Sequence, residues 1–199
     1  MGTVKVQHGR YVPEGAFHVI EAGTPIKDEE GKLCGVTKPR NMTYMHSYGG
    51  EAPFFQAVSE KGRLLATRCD NEGCAHKGLI WIPFHVHCPD CLGKMTTLDF
   101  TDTANEVAKI YTYIVTERSG AFNTLAKPIR FVDIEFPGAG VCTLLKGYMV
   151  GPGQPSIGLR MVPVFRTGKP SYNIQDLAWA REGTKPGELP EGFTFSHPK

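Results

Sequence analysis

The stretch RCDNEGCAHKGLIWIPFHVHCPDCLGK, residues 68–94, gathers four of the chain's six cysteines: Cys69, Cys74, Cys88 and Cys91. Their spacing is Cys-x4-Cys-x13-Cys-x2-Cys. Two close pairs separated by a loop of this size match a structural zinc site. Each pair forms a tight turn that presents two sulfurs, and the strands between bring the turns together. A bound cation lowers the thiol pKa, so that four thiolates hold it at neutral pH. The second pair is the sharper one. In CPDCLGK, Pro89 fixes one backbone angle, and Gly93 is expected at a positive φ where the chain folds back toward the sulfur. The first pair is longer, with Asn71 and Gly73 as turn formers.

Redox chemistry and disulfide cross-linking both fit four clustered cysteines less well than a metal does. A redox pair needs one Cys-x2-Cys and usually a helix start after it, whereas CPDCLGKM leads into strand-like sequence. A disulfide framework needs an oxidising compartment. No apolar run approaches the roughly 18 residues of a membrane helix. The segment MGTVKVQHGRYVPEG lacks the apolar middle of a signal peptide. The expected compartment is therefore the cytoplasm, where thiols stay reduced. Zinc is the expected metal, although an iron site uses the same four thiolates. His76, His85 and His87 flank the cluster and could substitute for a cysteine or bond to one from outside. A full four-thiolate shell leaves no open position, which makes the metal structural rather than catalytic. Of the two remaining cysteines, Cys142 lies in a strand pattern and is expected in the core. Cys34 lies in a glycine-flanked turn without a base.

The rest of the chain reads as mostly β. Residues 1–48 show no long period and are taken as an irregular N-terminal extension that packs onto another surface. Residues 49–62 read as a short helix, with Pro53 in its first turn, Phe54 and Val58 on one face, and Gly62 ending it. The zinc ribbon covers 63–95. Over 96–166, TLDF, AKIYTYIVTER, KPIRFVDIEF, GVCTLLKGYMV and LRMVPVFR read as five strands, with DTANEVA as a short helix among them. Five short strands predict an OB-fold-like barrel, with a small sandwich as the alternative. Residues 167–199 are rich in Pro, Gly and charge and read as an extended tail, within which IQDLAWA could form one or two helical turns. The apolar residues of the two ends, among them Phe17, Ile20, Trp179, Phe193 and Phe195, need a surface to cover.

The order of helix, ribbon and barrel resembles the DUF35 family, a rubredoxin-like zinc ribbon joined to an OB-fold. The resemblance spans about residues 50–166. It rests on Phe54 and Phe55, the four cysteines, Pro83, IYTYIVTE and IGLRMVPVF. The first cysteine spacing is longer than the family's usual two residues, and the N-terminal stretch falls outside the match. What the resemblance implies is a small subunit bound to a thiolase-type protein. There the partner carries the nucleophilic cysteine, and acyl-CoA lies at or near the interface as a ligand of the complex. Phe54 and Phe55 are the expected partner-binding residues.

No complete catalytic set is visible in the sequence itself. Ser119 lacks a nucleophile-elbow pattern, and GPGQPSIG lacks the Lys-Ser/Thr ending of a phosphate loop. Asp133 and Glu135, two apart on a strand, share the face opposite Val132, Ile134 and Phe136 and read as solvated carboxylates. Together with this, the resemblance implies a non-catalytic zinc-binding subunit of an acyltransferase complex. A nucleic-acid module is the alternative, since ribbons and OB-folds both serve that use. The formal charge is +2. Between residues 100 and 166, seven Lys or Arg stand against five Asp or Glu. That is a small excess for a groove that tracks phosphates. Tyr111, Tyr113 and Phe131 could stack bases or pack the barrel.

Overall fold

The computed structural model describes residues 1–38, 40–119 and 123–196. The chain divides into two units, Met1–Tyr48 and Gly49–Lys199.

In the first unit, β1 (Thr3–Gln7) and β2 (Arg10–Glu14) form a hairpin. His8 and Gly9 turn it at φ +50° and +73°, matching the right-handed twist of the strands. Then β3 (His18–Ile20), β4 (Thr24–Lys27), β5 (Leu33–Thr37) and β6 (Arg40–Met42) pair as β4 with β5 and β3 with β6. The segment read as irregular thus holds six strands. Each is 3–5 residues long, too short to establish an alternation in sequence. Among its described residues none is buried.

The second unit begins with one 3-10 turn and α1 (Ala52–Gln56), continued by a wider turn over Ala57–Lys61. Gly62 ends this helix in the left-handed region, φ +59°, where an L side chain would be strained. Phe54 and Val58 share its inner face, 2% and 0% exposed. Next come β7 (Leu65–Arg68), β8 (Ile80–Trp81) and β9 (Thr96–Asp99), which form a sheet in the order β8-β7-β9. The strand TLDF therefore belongs to the ribbon, not to the barrel. Helix α2 (Thr101–Val107) follows and packs on the barrel strand Met161–Phe165.

The barrel uses β10 (Lys109–Ser119), β11 (Asn123–Glu135), β12 (Leu145–Val150), β13 (Met161–Phe165) and β14 (Leu177–Arg181). Their order is β10-β11-β12-β14-β13, and β15 (Thr194–Phe195) adds to β13. The cylinder closes where Ile110 donates its backbone N–H to Leu159 at 3.0 Å and Met161 donates to Ala108 at 3.0 Å. Strand β14 runs parallel to β12, and the other pairings are antiparallel. This is a five-stranded Greek-key barrel of the OB type.

Its fifth strand comes from the segment read as a tail. Residues 174–176 form a 3-10 turn, and LAWAR is a strand with four of five residues buried. Trp179 is fully buried at the barrel centre beside Gly147, where a Cβ would stand 2.8 Å from the indole. Asp176, also fully buried, fastens this segment to the helix. Ser59 of the wide turn donates to its carboxylate at 2.7 Å. Ser171 donates through backbone and hydroxyl, and Tyr172 through its backbone N–H.

Candidate metal centre

Two turns bring the four cysteines together. In the first, Asn71 accepts from the Gly73 N–H through its side chain and from the Cys74 N–H through its carbonyl, curling the chain between Cys69 and Cys74. Gly78 donates to the Cys69 carbonyl at 2.7 Å, which returns the chain to β8. In the second, Leu92 donates to the Cys88 carbonyl and Cys88 to the Gly93 carbonyl, both at 2.9 Å. Leu92 takes the positive φ here, at +58°, where the sequence pattern pointed to Gly93. Gly93 is needed for closeness instead: a Cβ there would lie 3.3 Å from the Cys91 sulfur.

All four Sγ atoms lie within 4.8 Å of one another. Cys69 to Cys91 and Cys74 to Cys88 are both 3.8 Å. Sulfurs held at ~2.3 Å from one centre in a tetrahedron stand ~3.8 Å apart, so the spacing fits a thiolate-bound metal such as zinc. A disulfide would need about 2.05 Å, and all six cysteines are free thiols. Cys69, Cys74 and Cys88 are buried, and Met95 and Trp81 pack around them. Backbone N–H groups point at the sulfurs, as thiolates require: His76 donates to Cys74 at 3.3 Å. The Asn71 side chain and the Gly93 N–H pull the Cys91 thiol down to about 6. The Asp90 carboxylate, 3.1 Å from Cys74, together with burial, pushes that thiol up. A dication held by the four sulfurs would offset this repulsion.

The flanking histidines hold the outside of the site. His76 and His85 meet the Trp81 ring edge-on at 5.9 and 5.7 Å, and His87 is exposed. Cys142, expected in the core, is exposed, its thiol donating to the Ile80 carbonyl at 3.4 Å. The chain there is a loop before β12, so strand alternation does not apply. Cys34 is exposed in the first unit.

Phe54 and Phe55 part company. Phe54 is buried in the core, while half-buried Phe55 lies edge-on to it, 5.3 Å between centroids. Both line a groove of about 500 Å³ with Pro83, Phe84, Leu145 and Ile174, where helix, ribbon and barrel meet. Arg63 is half-buried, 3.9 Å from Asp99 and 4.0 Å from Asp102. Tyr111, Tyr113 and Phe131 stand 53%, 43% and 44% exposed on β10 and β11 rather than inside the barrel. No helix among the described residues is long and apolar enough to cross a membrane.

No family model and no curated protein matches the sequence. Among solved structures, the chain is similar to a DUF35-family protein of unknown function from Sulfolobus solfataricus. That match has 20% identity over 69% of this chain and 90% of the other, with a TM-score of 0.48. It is also similar to the Ltp2-ChsH2(DUF35) aldolase, at 19% identity over 69% of this chain and 96% of that one, with a TM-score of 0.46.

Proposed function

We propose that this chain is the zinc-binding, non-catalytic subunit of an acyl-CoA thiolase-type complex that makes or cleaves a carbon–carbon bond. The observation that carries the proposal is the four-sulfur site at the head of an OB-type barrel, in the same order as the motifs that resemble DUF35. A metal held by four thiolates has no position left for a substrate or a nucleophilic water. Zinc would be held by Cys69, Cys74, Cys88 and Cys91 and would supply folding energy to the ribbon rather than chemistry. The nucleophilic cysteine would belong to the partner. This chain's part is to present Phe55 and the groove around it, with Phe54 behind as a rigid support, and to complete a wall near the acyl-CoA.

The test has two arms. Metal analysis of purified protein is expected to find one zinc per chain. Cys88→Ser is expected to lose it, with the ribbon loosening before the barrel; a metal-free, fully folded chain overturns the zinc assignment. The second arm reconstitutes CoA-dependent carbon–carbon cleavage with the thiolase-type subunit. The chain ends resemble those of the small subunit of benzoylsuccinyl-CoA thiolase, which makes benzoylsuccinyl-CoA the first substrate to assay. Full rate from the partner alone, or turnover by this chain alone, overturns the proposal.

A second reading draws on the exposure of Tyr111, Tyr113 and Phe131, which leaves three rings free to stack on single-stranded nucleic acid. A salt titration of oligonucleotide binding separates the two. A steep loss of affinity with salt favours the nucleic-acid module.

A further inference from the structure

The groove at Phe55 lies within the second unit, and its walls are fastened in different ways. Phe54 and Phe55 come from the helix, Pro83 and Phe84 from the ribbon, Leu145 from the barrel, and Ile174 from the 3-10 turn before β14. Backbone bonds tie the ribbon to the barrel. Ile80 donates to the Gly140 carbonyl at 2.9 Å, and Cys142 to the Ile80 carbonyl at 3.1 Å. The Thr143 hydroxyl completes this tie, accepting from the Ile82 N–H at 3.1 Å and donating to the Ile82 carbonyl. Helix and ribbon meet through rings, Phe54 on Phe84 with 6.4 Å between centroids. Apolar contact of that kind is non-directional and fixes no exact spacing.

The helix and the Ile174 turn are joined by a buried polar contact. Ser59 stands four residues after Phe55, in the wide turn Ala57–Lys61, and Asp176 stands two after Ile174. The Ser59 hydroxyl donates to the Asp176 carboxylate at 2.7 Å, and both residues are fully buried. The turn that carries Ile174 is itself held firmly. The Asp176 N–H donates to the Asn173 carbonyl at 3.1 Å, and Tyr148 of β12 donates to the Gln175 carbonyl. An apolar pair would serve core packing at this place without the cost of burying a carboxylate. Wide turns inside helices are likewise uncommon and found mostly at functional sites.

We infer that Ser59 and Asp176 are a positioning pair: their hydrogen bond sets the spacing between Phe55 and Ile174, and thereby the width of the groove that receives the partner subunit. Neither residue lines the groove; both act through its walls. A groove held at one width needs no reordering when the partner docks, and this pre-organisation is what the pair adds to affinity. The inference rests on the subunit role proposed above.

The experiment is a double-mutant cycle on the full chain, read as affinity for the thiolase-type subunit by titration calorimetry. Ser59→Ala is expected to weaken assembly about fivefold, and Phe55→Ala about tenfold or more. The double variant should be no weaker than Phe55→Ala, because the pair acts only through the groove. Thr101→Ala is the control for general stability: its hydroxyl is fully buried and accepts from the Leu64 N–H at 2.9 Å, outside the groove. It is expected to leave affinity unchanged. Melting curves of the isolated variants show which are folded at the assay temperature. Should Ser59→Ala not be, Ser59→Cys, which keeps a weaker donor, carries the same test with a smaller loss. Wild-type affinity in the Ser59 variant overturns the inference. Effects of Ser59 and Phe55 that multiply in the double variant overturn it too, as does an equal loss in Thr101→Ala. If Phe55→Ala alone leaves affinity unaltered, the groove is not the docking surface; the positioning pair then fails while the subunit role, read from reconstituted activity, stands. If no thiolase-type subunit binds the wild-type chain, the subunit role fails and takes the pair with it.

Discussion

Strand β14 and strands β1–β6 come from opposite ends of the chain and are built on opposite terms. β14 has four of its five residues buried and lies between β12 and β13, bonded on both edges. Strands β1–β6 are each bonded along one partner only, and none of their described residues is buried. Pairing on one edge or on two is the first difference, and what lies on the faces is the second: β14 carries Trp179 into a shared core, while the ribbons carry Val6 and Tyr11 to the surface. A strand near a chain end can thus belong to the core or stand outside it, and its burial and its bonded edges tell which.

The comparison predicts that losing one end unfolds the second unit and losing the other does not. Removing residues 167–199 deletes β14 and β15, and the expected result is loss of cooperative unfolding by circular dichroism. A truncated chain that melts at the full-length temperature would break the comparison. Trp179→Ala keeps the strand but empties the barrel centre. It is expected to cost about 3–5 kcal/mol in denaturant unfolding.

Asp176→Asn removes the charge that Ser59, Ser171 and Tyr172 converge on. The expected loss is about 2 kcal/mol near neutral pH, since hydrogen bonds to a charged group are the stronger kind. Burial works against the ionised Asp176, but the hydrogen bonds from Ser171, Ser59 and Tyr172 prevail and hold its carboxyl below the usual range. Its contribution is therefore complete above the unfolded carboxylate value of about 3.9. It fades as pH falls through the lower folded value. Unfolding of variant and wild type, followed from pH 7 down to pH 3, should converge toward the acid end; a constant gap would mean that the charge is not responsible. The smallest effect belongs to the other end. Deleting residues 1–48 is expected to leave the unfolding midpoint of the rest unchanged, and a large drop would make the ribbons part of the core.

How much of the fold is legible in the sequence depends on how local each signal is. The four cysteines are legible because two short turns set their geometry, and the same holds for the Pro53–Gly62 helix. Leu177–Arg181 is not. LAWAR has a single aromatic and two alanines, lacks the polar–apolar alternation of a half-exposed strand, and follows Ile174 at a helix-like spacing. Burial on both faces erases alternation, and its place beside β12 depends on residues about thirty positions away. TLDF has a good strand composition, but composition cannot say that β7 rather than β10 is its neighbour. Leu92 takes a left-handed backbone that composition assigns to glycine, because Gly93 is already committed to the close approach of Cys91.

The position of β14 also sets an order of events during synthesis. The four cysteines of the ribbon are complete once Cys91 has been made, so a metal that they would hold could be captured while the barrel is still unwritten. Strands β10 to β13 then leave the ribosome with a vacancy at the place β14 will fill, and at ordinary elongation rates of about 5–20 residues per second the wait lasts on the order of a second. For that interval β12 and β13 carry unpaired edges of the kind that recruit stray strands. A chain stalled between Phe165 and Leu177 would remain in that state, which makes this short stretch of translation the period when the nascent protein most needs a chaperone.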